Sequence, residues 1–320
     1  MIMHIICSTD NHYIMPTGVM IKSVSVNHKE ADIIFHVIVD KSVSKKSQMQ
    51  LCNVIKDNDR HVIEFHLFDE TIFNSFPQIG QVKCDYITKA TYYRLFIDRM
   101  LNSDIDKVLY LDSDIVVDKS LETLWNSNIS NYAVGCVTDM SEAKHDYNRL
   151  DFDPKLGYFN AGVLLINLKY WRDHHIIDEF VNIIINHPEM IEQHDQDVLN
   201  IVLCKNKFTL PLTYNVQNGF LFKPEYLELD EKKYKMDLEQ AVQNPVIIHY
   251  TAVIKPWHLE CNHPLRKRWF KYRNLTMWKK CRIKRKRSII RTKIGNLLRK
   301  YHLRPQIPKE VNKYIELSNN

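Results

Sequence analysis

The chain has 320 residues, of which 45% are hydrophobic and 26% charged, and its formal net charge is +6. This composition excludes fibrous and wholly disordered classes and allows a large core. Because glycine occurs only 7 times, and neither a Gly-X-Gly-X-X-Gly pattern nor a P-loop is present, any bound phosphate has to be held by a metal ion, cationic side chains or helix N-termini.

Predicted strands and helices alternate along the chain. The predicted strands are residues 3–8, 33–39, 62–68, 107–111, 132–137, 161–166 and 245–249. The predicted helices are residues 18–27, 45–56, 86–101, 173–186 and 195–203. Such alternation is typical of an α/β fold, and it predicts an open, mostly parallel sheet with helices on both faces.

Two aspartates follow the predicted strand 107–111. Only Ser113 separates Asp112 from Asp114, and strand residues two apart project to the same side of a sheet. Open α/β sheets bind ligands at the carboxyl ends of their strands. Two carboxylates held together there repel each other unless a cation joins them, and Mg²⁺ or Mn²⁺ accepts such ligands together with substrate phosphates. A solvated turn is the alternative, because Asp is common where strands end.

Further polar residues lie where predicted elements begin or end. They are Asp10, Arg94, Asn160, Asp195, Gln196, His249 and Lys255. Each of these residues, taken alone, can be explained as part of a turn, a carboxylate cap, the acidic first turn of a helix or a solvated loop. Only their combination indicates a functional site.

The C-terminal part of the chain is strongly basic. Residues 266–304 contain 17 Lys and Arg and no Asp or Glu, so the rest of the chain is acidic. We therefore predict a catalytic body, residues 1–262, and a basic, helix-prone extension, residues 263–320. Hydrophobic residues, among them Trp269 and Trp278, interrupt the charges. We expect these side chains to insert into a membrane interface while the cations bind anionic headgroups.

The cysteines and the N-terminus predict a cytoplasmic protein. Seven scattered cysteines without a Cys-X-X-Cys pair are typical of reduced thiols. We expect no signal peptide, because the N-terminus lacks a basic stretch followed by a long apolar one. No uninterrupted apolar run approaches the roughly 20 residues of a membrane span.

Six segments, taken in order, resemble glycosyltransferase family 8, which includes bacterial lipopolysaccharide galactosyl- and glucosyltransferases and glycogenin. They are residues 9–13, 91–95, 107–114, 158–167, 193–200 and 249–258. The resemblance covers approximately residues 3–260 and implies the GT-A type of nucleotide-diphospho-sugar transferase fold. It also implies a UDP-sugar donor bound with Mn²⁺ or Mg²⁺, and transfer of galactose or glucose with retention of anomeric configuration. The implied acceptor is a saccharide or lipid-linked saccharide of lipopolysaccharide or another cell-surface glycan, at the inner face of a bacterial membrane.

The resemblance also assigns roles to individual residues. Asp112, Asp114 and His249 match the metal ligands, and Asp195 and Gln196 match residues at the reacting sugar. The residues assigned to donor binding are Asp10, Asn11, Tyr13, Arg94, Asp112, Ser113, Asp114, Asp139, Asn160, Ala161, Asp195, Gln196, His249, Ala252 and Lys255. Within that set, the positions of Asp10 and Tyr13 hold uracil and that of Lys255 contacts the diphosphate. No carboxylate nucleophile is evident, so the resemblance favours front-face attack by the acceptor.

Two departures from the family pattern affect the donor site. Ala252 and Val253 replace residues in a His-Tyr-X-Gly-Pro segment, where glycine lets the backbone approach a phosphate closely. His12 replaces a common Asn before the uracil-stacking Tyr13. Neither change removes a metal ligand or a cation, so we expect an active enzyme.

Two other classes compete with a transferase. Asp112, Ser113 and Asp114 also fit the nucleophile loop of haloacid-dehalogenase-type phosphatases, in which Asp112 accepts the phosphoryl group. Those enzymes carry the loop on their first strand, whereas three predicted strands precede it here. The other class is a non-catalytic protein whose basic extension binds an anionic surface, which leaves the motifs of the body unexplained. We expect no nucleic-acid partner, and a solvated extension is the simplest alternative to membrane attachment.

Overall fold

The computed structural model describes residues 2–76, 89–221 and 231–286, together with residues 294, 297–298 and 300–303. Its strands are β1 (Ile2–Thr9), β2 (Asp32–Val39), β3 (His61–Leu67), β4 (Lys107–Leu111), β5 (Ile115–Val117), β6 (Val134–Thr138), β7 (Phe159–Asn167), β8 (Lys207–Thr209), β9 (Val216–Gln217) and β10 (Ile247–His249). One sheet has the order β3-β2-β1-β4-β7-β6-β8, and a smaller one has the order β5-β10-β9. The predicted open, mostly parallel sheet is confirmed, since only β7 runs against its neighbours in the large sheet.

The helices are α1 (Ile14–Asn27), α2 (Lys45–Ile55), α3 (Ile97–Met100), α4 (Glu122–Trp125), α5 (Tyr147–Leu150), α6 (Leu168–Asp173), α7 (Ile176–Asn186), α8 (Asp195–Leu203), α9 (Glu231–Gln243) and α10 (Arg266–Arg273). The predicted helix 173–186 is interrupted where His175 adopts a left-handed conformation with φ 51°. The predicted helix 86–101 begins, within the described residues, as a 3₁₀ turn over Lys89–Phe96 that continues into α3. Residues 86–88 of that prediction lie outside the described residues.

Helices cover both faces of the large sheet. Ile5 and Ile6 of β1 point to opposite faces and belong to two different buried clusters. The first cluster includes side chains of α1, α2, α9 and α10, and the second includes side chains of α7 and α8. The expectation of helices on both faces is therefore confirmed.

The reversed strand β7 determines what lies beside the two aspartates. Its register pairs Leu111 with Val163, so residues 160–162 at its beginning lie next to the end of β4. The backbone N–H of Asp112 donates to the carbonyl of Gly162 at 2.9 Å. Opposite this stretch, the pairing of β6 with β7 is irregular between Cys136 and Val137. Irregular strands are common near functional sites, where they redirect side chains.

The small sheet brings the distant residue His249 to the same place. Antiparallel pairing of β10 with β5 sets His249 opposite Ile115, directly after Asp114. The backbone N–H of Tyr250 donates to the carbonyl of Asp114 at 3.1 Å, which extends the pairing. Asp114 and His249, 135 positions apart in sequence, thus meet through the pairing of two short strands.

The first part of the basic extension packs against the body. Trp269 and Tyr272 of α10 are fully buried in the first cluster, and Trp278 is 8% exposed. Asp118 binds this helix, since its carboxylate accepts from the Tyr272 hydroxyl at 2.6 Å and forms an ion pair with Arg268 at 3.0 Å. The expectation that Trp269 and Trp278 insert into a membrane is therefore wrong. The boundary at residue 262 stays a prediction, and most of residues 287–320 lies outside the described residues.

Candidate active site

A pocket of about 270 Å³ lies at the carboxyl ends of β1 and β4. The predicted site residues that line it are Asp10, Tyr13, Arg94, Asp112, Ser113, Asp114, Asn160, Ala161, Asp195, Gln196, His249 and Lys255. They come from both sheets, from α8 and from the loops and the 3₁₀ turn that connect these elements. The fold therefore brings together residues that are far apart in the chain.

Three of these residues can hold a metal ion. Ligand atoms of Asp112, Asp114 and His249 all lie within 4.8 Å of one another. His249 Nε2 is 3.7 Å from Asp112 Oδ2 and 3.3 Å from Asp114 Oδ1. Two carboxylates and one imidazole are oxygen and nitrogen donors of the kind that Mn²⁺ accepts, so the side chains present fit such an ion.

The orientation of His249 is fixed by Asn215, which precedes β9. His249 Nδ1 lies 3.0 Å from Asn215 Oδ1, and because this oxygen only accepts, Nδ1 carries the proton. The lone pair of Nε2 then points toward the aspartates. Asn215 Nδ2 in turn donates to Asn160 Oδ1 at 2.9 Å. Sequence analysis missed this fully buried residue, because a single Asn in a loop has no distinguishing pattern.

Lys255 places a buried cation next to the aspartates. Its Nζ donates to Asp114 Oδ2 at 2.5 Å and to the carbonyl of Tyr250 at 2.7 Å. Burial alone raises the pKa of Asp114, but the positive charge of Lys255 and its hydrogen bond to the carboxylate hold this pKa well below its usual range. Asp114 is thus ionised at neutral pH, as a metal ligand has to be.

Arg94 forms ion pairs with two carboxylates, one on each side of the pocket. It lies 2.9 Å from Asp112 Oδ1 and 2.8 Å from Asp195 Oδ2, and its Nη1 donates to the carbonyl of Ala161 at 2.6 Å. Its guanidinium also covers the ring of Tyr110 at 4.4 Å. Burial raises the pKa of Asp195 to about 7 despite the opposing charge of Arg94, and the charge of Asp112 adds to the rise. This carboxylate is therefore sensitive to any charge that enters the pocket.

Amide side chains form another wall of the pocket. The backbone N–H of Ala161 donates to Gln196 Oε1 at 3.0 Å, and Asn160 Nδ2 donates to Asp139 Oδ2 at 3.0 Å. Gln196 Nε2 is 3.4 Å from the same Asp139 oxygen. Burial raises the pKa of Asp139, but hydrogen bonds from His145 and other neighbours outweigh burial and lower it. The wall is thus rigid and carries one buried negative charge.

The family model for glycosyl transferase family 8 matches residues 4–261. This match spans most of the chain and contains every residue that lines the pocket. The chain belongs to glycosyl transferase family 8.

Relatives and solved structures agree with this family. A putative glycosyltransferase of Haemophilus influenzae is 31% identical, covering 82% of this chain and 74% of the relative. A lipopolysaccharide 1,2-glucosyltransferase of Escherichia coli K12 is 26% identical, covering 80% of this chain and 72% of the relative. The crystal structure of the galactosyltransferase LgtC, in complex with donor and acceptor sugar analogues, is 26% identical with a TM-score of 0.74, covering 87% of this chain and 99% of that one. The fold of this family 8 member is accordingly the GT-A type.

One end of the family 8 pocket is formed by the loop after β1. Asp10 Oδ1 accepts from the backbone N–H groups of His12 and Tyr13 at 2.8 and 3.1 Å, which gives the loop its turn. The Tyr13 ring meets Trp257 edge to face, with 5.9 Å between centroids. Sequence analysis did not identify Trp257, because the family resemblance assigned a role to the nearby Lys255 and none to Trp257.

Three predicted residues do not line the pocket. Asn11 is exposed, and its Oδ1 accepts from Ser47 Oγ at 2.7 Å. Asp139 lies behind the amide wall, and the backbone N–H of Ala252 donates to Asn218 Oδ1 at 3.4 Å. Their assignment to donor binding stays a prediction.

Gly162 is a further site residue that sequence analysis did not assign. A Cβ atom at this position would overlap the His249 ring and lie 2.8 Å from Asp112 Oδ2. Only glycine leaves room for both ligand side chains here. Its position within the segment 158–167 was available as a signal, but its purpose depends on the reversed direction of β7.

Proposed function

We propose that this family 8 member transfers a hexose from a UDP-sugar to a saccharide acceptor, with the help of Mn²⁺ or Mg²⁺ and with retention of anomeric configuration. The main observation that supports this proposal is that Asp112, Asp114 and His249 lie close together, next to the buried cation Lys255. A bound divalent ion would supply Lewis-acid stabilisation of the departing diphosphate. Lys255 adds a fixed positive charge that favours the same transition state.

The other pocket residues fit the binding of a nucleotide sugar. Asp10 and Tyr13 would bind the uracil at the end of β1. Asp195 and Gln196 would surround the sugar, because both line the pocket and they contact Arg94 and Ala161 respectively. Asp195 then accepts hydrogen bonds from the sugar hydroxyl groups, and Gln196 lies at the reacting face. These side chains orient the donor, and the acceptor attacks from the side on which UDP departs.

We propose galactose or glucose as the sugar. The name of the Escherichia coli relative specifies glucosyl transfer to lipopolysaccharide, and the LgtC structure is that of a galactosyltransferase. The two sugars differ in the configuration of one hydroxyl group. A saccharide or lipid-linked saccharide acceptor of a cell-surface glycan fits both relatives.

We also propose that the protein acts in the cytoplasm, attached to the inner face of a bacterial membrane through the basic extension. Among the described residues, no helix is both long and apolar enough to cross a bilayer. Among the described residues, the exposed cations beyond the buried Trp278 are Lys279, Lys280, Arg282, Lys284, Arg285, Lys286 and Lys300. Each cation near an anionic surface contributes on the order of 1 kcal/mol of binding free energy, and screening by salt reduces this contribution.

The test is UDP release from UDP-galactose and UDP-glucose in the presence of Mn²⁺. We expect EDTA to abolish release, and Asp112→Asn to lower turnover at least about 10²-fold, as for other groups that stabilise transition-state charge. Asp106→Asn, at an exposed position before β4, is the matched control and should keep full turnover. Undiminished release in EDTA would refute the metal assignment.

A further inference from the structure

A second cluster of ligand-type side chains lies at the β3 edge of the large sheet. Ligand atoms of His36 on β2 and of Glu64 and His66 on β3 all lie within 4.8 Å of one another. The parallel register pairs His36 with Glu64, and His66, two positions later, faces the same side. None of these residues lines the family 8 pocket. The cluster is therefore separate from the proposed active site.

The donor atoms are spaced as they would be around a small divalent ion. His36 Nδ1 is 3.0 Å from His66 Nε2 and 3.3 Å from Glu64 Oε2. Zinc–ligand bonds of 2.0–2.2 Å at tetrahedral angles place neighbouring donors roughly 3.3 Å apart. A single proton on His36 Nδ1 cannot form a full hydrogen bond to both neighbours, whereas a metal cation can bind all three donor atoms.

A third histidine can orient the ring of His36. Its other nitrogen, Nε2, lies 3.0 Å from His4 Nδ1, and the two rings are stacked with 5.3 Å between centroids. When Nε2 donates its proton to His4, Nδ1 keeps its lone pair and points it toward His66 and Glu64. Metal-bound histidines usually donate their second ring nitrogen in this way. His249 shows the same arrangement with Asn215.

The cluster is buried on one side and open on the other. His36 is buried and His66 is half-buried. Glu64, whose side chain is 50% exposed, leaves the cluster open to ions from solvent.

We propose that His36, Glu64 and His66 bind one divalent transition-metal ion of the Zn²⁺ class. Two imidazoles and one carboxylate, without a thiolate, form a donor set for such ions, and water can complete a four-coordinate shell. The ion links the edge strand β3 to β2. Because it binds the folded chain, it stabilises that chain by an amount that grows with the logarithm of its concentration divided by its dissociation constant.

The test is calorimetric titration of the full chain with Zn²⁺, compared with Glu64→Gln and His66→Gln. We expect the wild type to bind one more equivalent than either variant, or to bind that equivalent at least tenfold more tightly. His187→Gln is the matched control, because His187 lies in an exposed pair with Glu189 at 3.7 Å and should bind Zn²⁺ as the wild type does. When Co²⁺ is bound at the same site in place of Zn²⁺, its visible absorption reports the coordination geometry.

A second variant background tests whether the lost equivalent of Zn²⁺ was bound by His36, Glu64 and His66. In Asp112→Asn/Asp114→Asn the pocket ligands are absent, and Glu64→Gln should still remove one bound Zn²⁺. Zn²⁺ should also raise the melting temperature of the parent more than that of Glu64→Gln. Equal Zn²⁺ binding by parent and Glu64→Gln overturns the proposal. If His66→Gln fails to fold, the half-exposed Glu64 decides the outcome alone.

Discussion

At the residue scale, the hydrogen bond between Asn215 and His249 has a measurable consequence for metal binding. We predict that Asn215→Ala weakens Mn²⁺ binding about 10–100-fold, the usual effect of removing a group that orients a metal-bound histidine. Thr213→Ala, on the same loop, is the control, since its hydroxyl bonds the carbonyl of Asn244 and not the site. Calorimetry with Mn²⁺ measures the affinity. Unchanged affinity in Asn215→Ala would show that the tautomer of His249 is set elsewhere.

The residues predicted from sequence are those whose type and neighbours specify chemistry. Asp112 and Asp114 stand out because a strand precedes them and only one residue separates them. Asn215 and Gly162 do not, because one supports a ligand through a hydrogen bond and the other only leaves space. Such roles depend on which atoms lie nearby in the folded chain. A single sequence contains no signal for the role of Asn215, and for Gly162 it offers only the position within the segment 158–167.

At the element scale, α10 illustrates how charge can hide a packing pattern. Leu265, Trp269 and Tyr272 are spaced at i, i+4 and i+7 and are all buried, which is the pattern of a helix that packs against a core. Sequence analysis gave weight to the cations between them and predicted a separate extension. The direction of β7 was also beyond the sequence, because its apolar run reads the same in a parallel or an antiparallel strand.

We predict that removing residues 264–320 destabilises the whole domain. Trp278 covers Gly18 of α1 so closely that a Cβ atom on Gly18 would overlap the indole. Trp278→Ala should cost about 3–5 kcal/mol of unfolding free energy, as large-to-small changes in a core do. Leu275→Ala, whose side chain is 54% exposed in the same segment, should cost little. Urea denaturation measures both, and a truncated chain as stable as the full one would contradict the packing.

At the scale of the whole molecule, the division of charge remains the basis for predicting membrane attachment. We predict that changing Arg282, Lys284, Arg285 and Lys286 to Gln reduces sedimentation with anionic vesicles at low salt and leaves UDP release unchanged. The control changes the exposed residues Lys41, Lys45, Lys46 and Lys56 to Gln, which removes equal charge elsewhere. Equal vesicle binding by the two variants would mean that net charge, and not the extension, drives attachment.

Acid sensitivity is a second property of the whole molecule. Burial, together with the nearby charge of Lys255, lowers the pKa of His263 to about 3, so the unfolded chain binds the proton more readily. Folding stability therefore falls as pH drops from about 6.5 toward 3. His263→Asn keeps an acceptor for the backbone N–H of Leu265, and it should shift acid unfolding to lower pH. Fluorescence-monitored unfolding at pH 4–7 measures this, and an unshifted midpoint would exclude His263 as a major contributor.

The spacing of the pocket residues along the chain also bears on how the protein is made. The pocket draws on residues from Ser8 to Lys255, and His249 reaches Asp114 only when β10 pairs with β5. Contacts between residues so far apart form late and slowly in folding. A ribosome has to release nearly the whole body before this pocket exists. Metal or nucleotide binding by nascent chains would therefore mark the completion of synthesis, and shorter chains would remain substrates for chaperones.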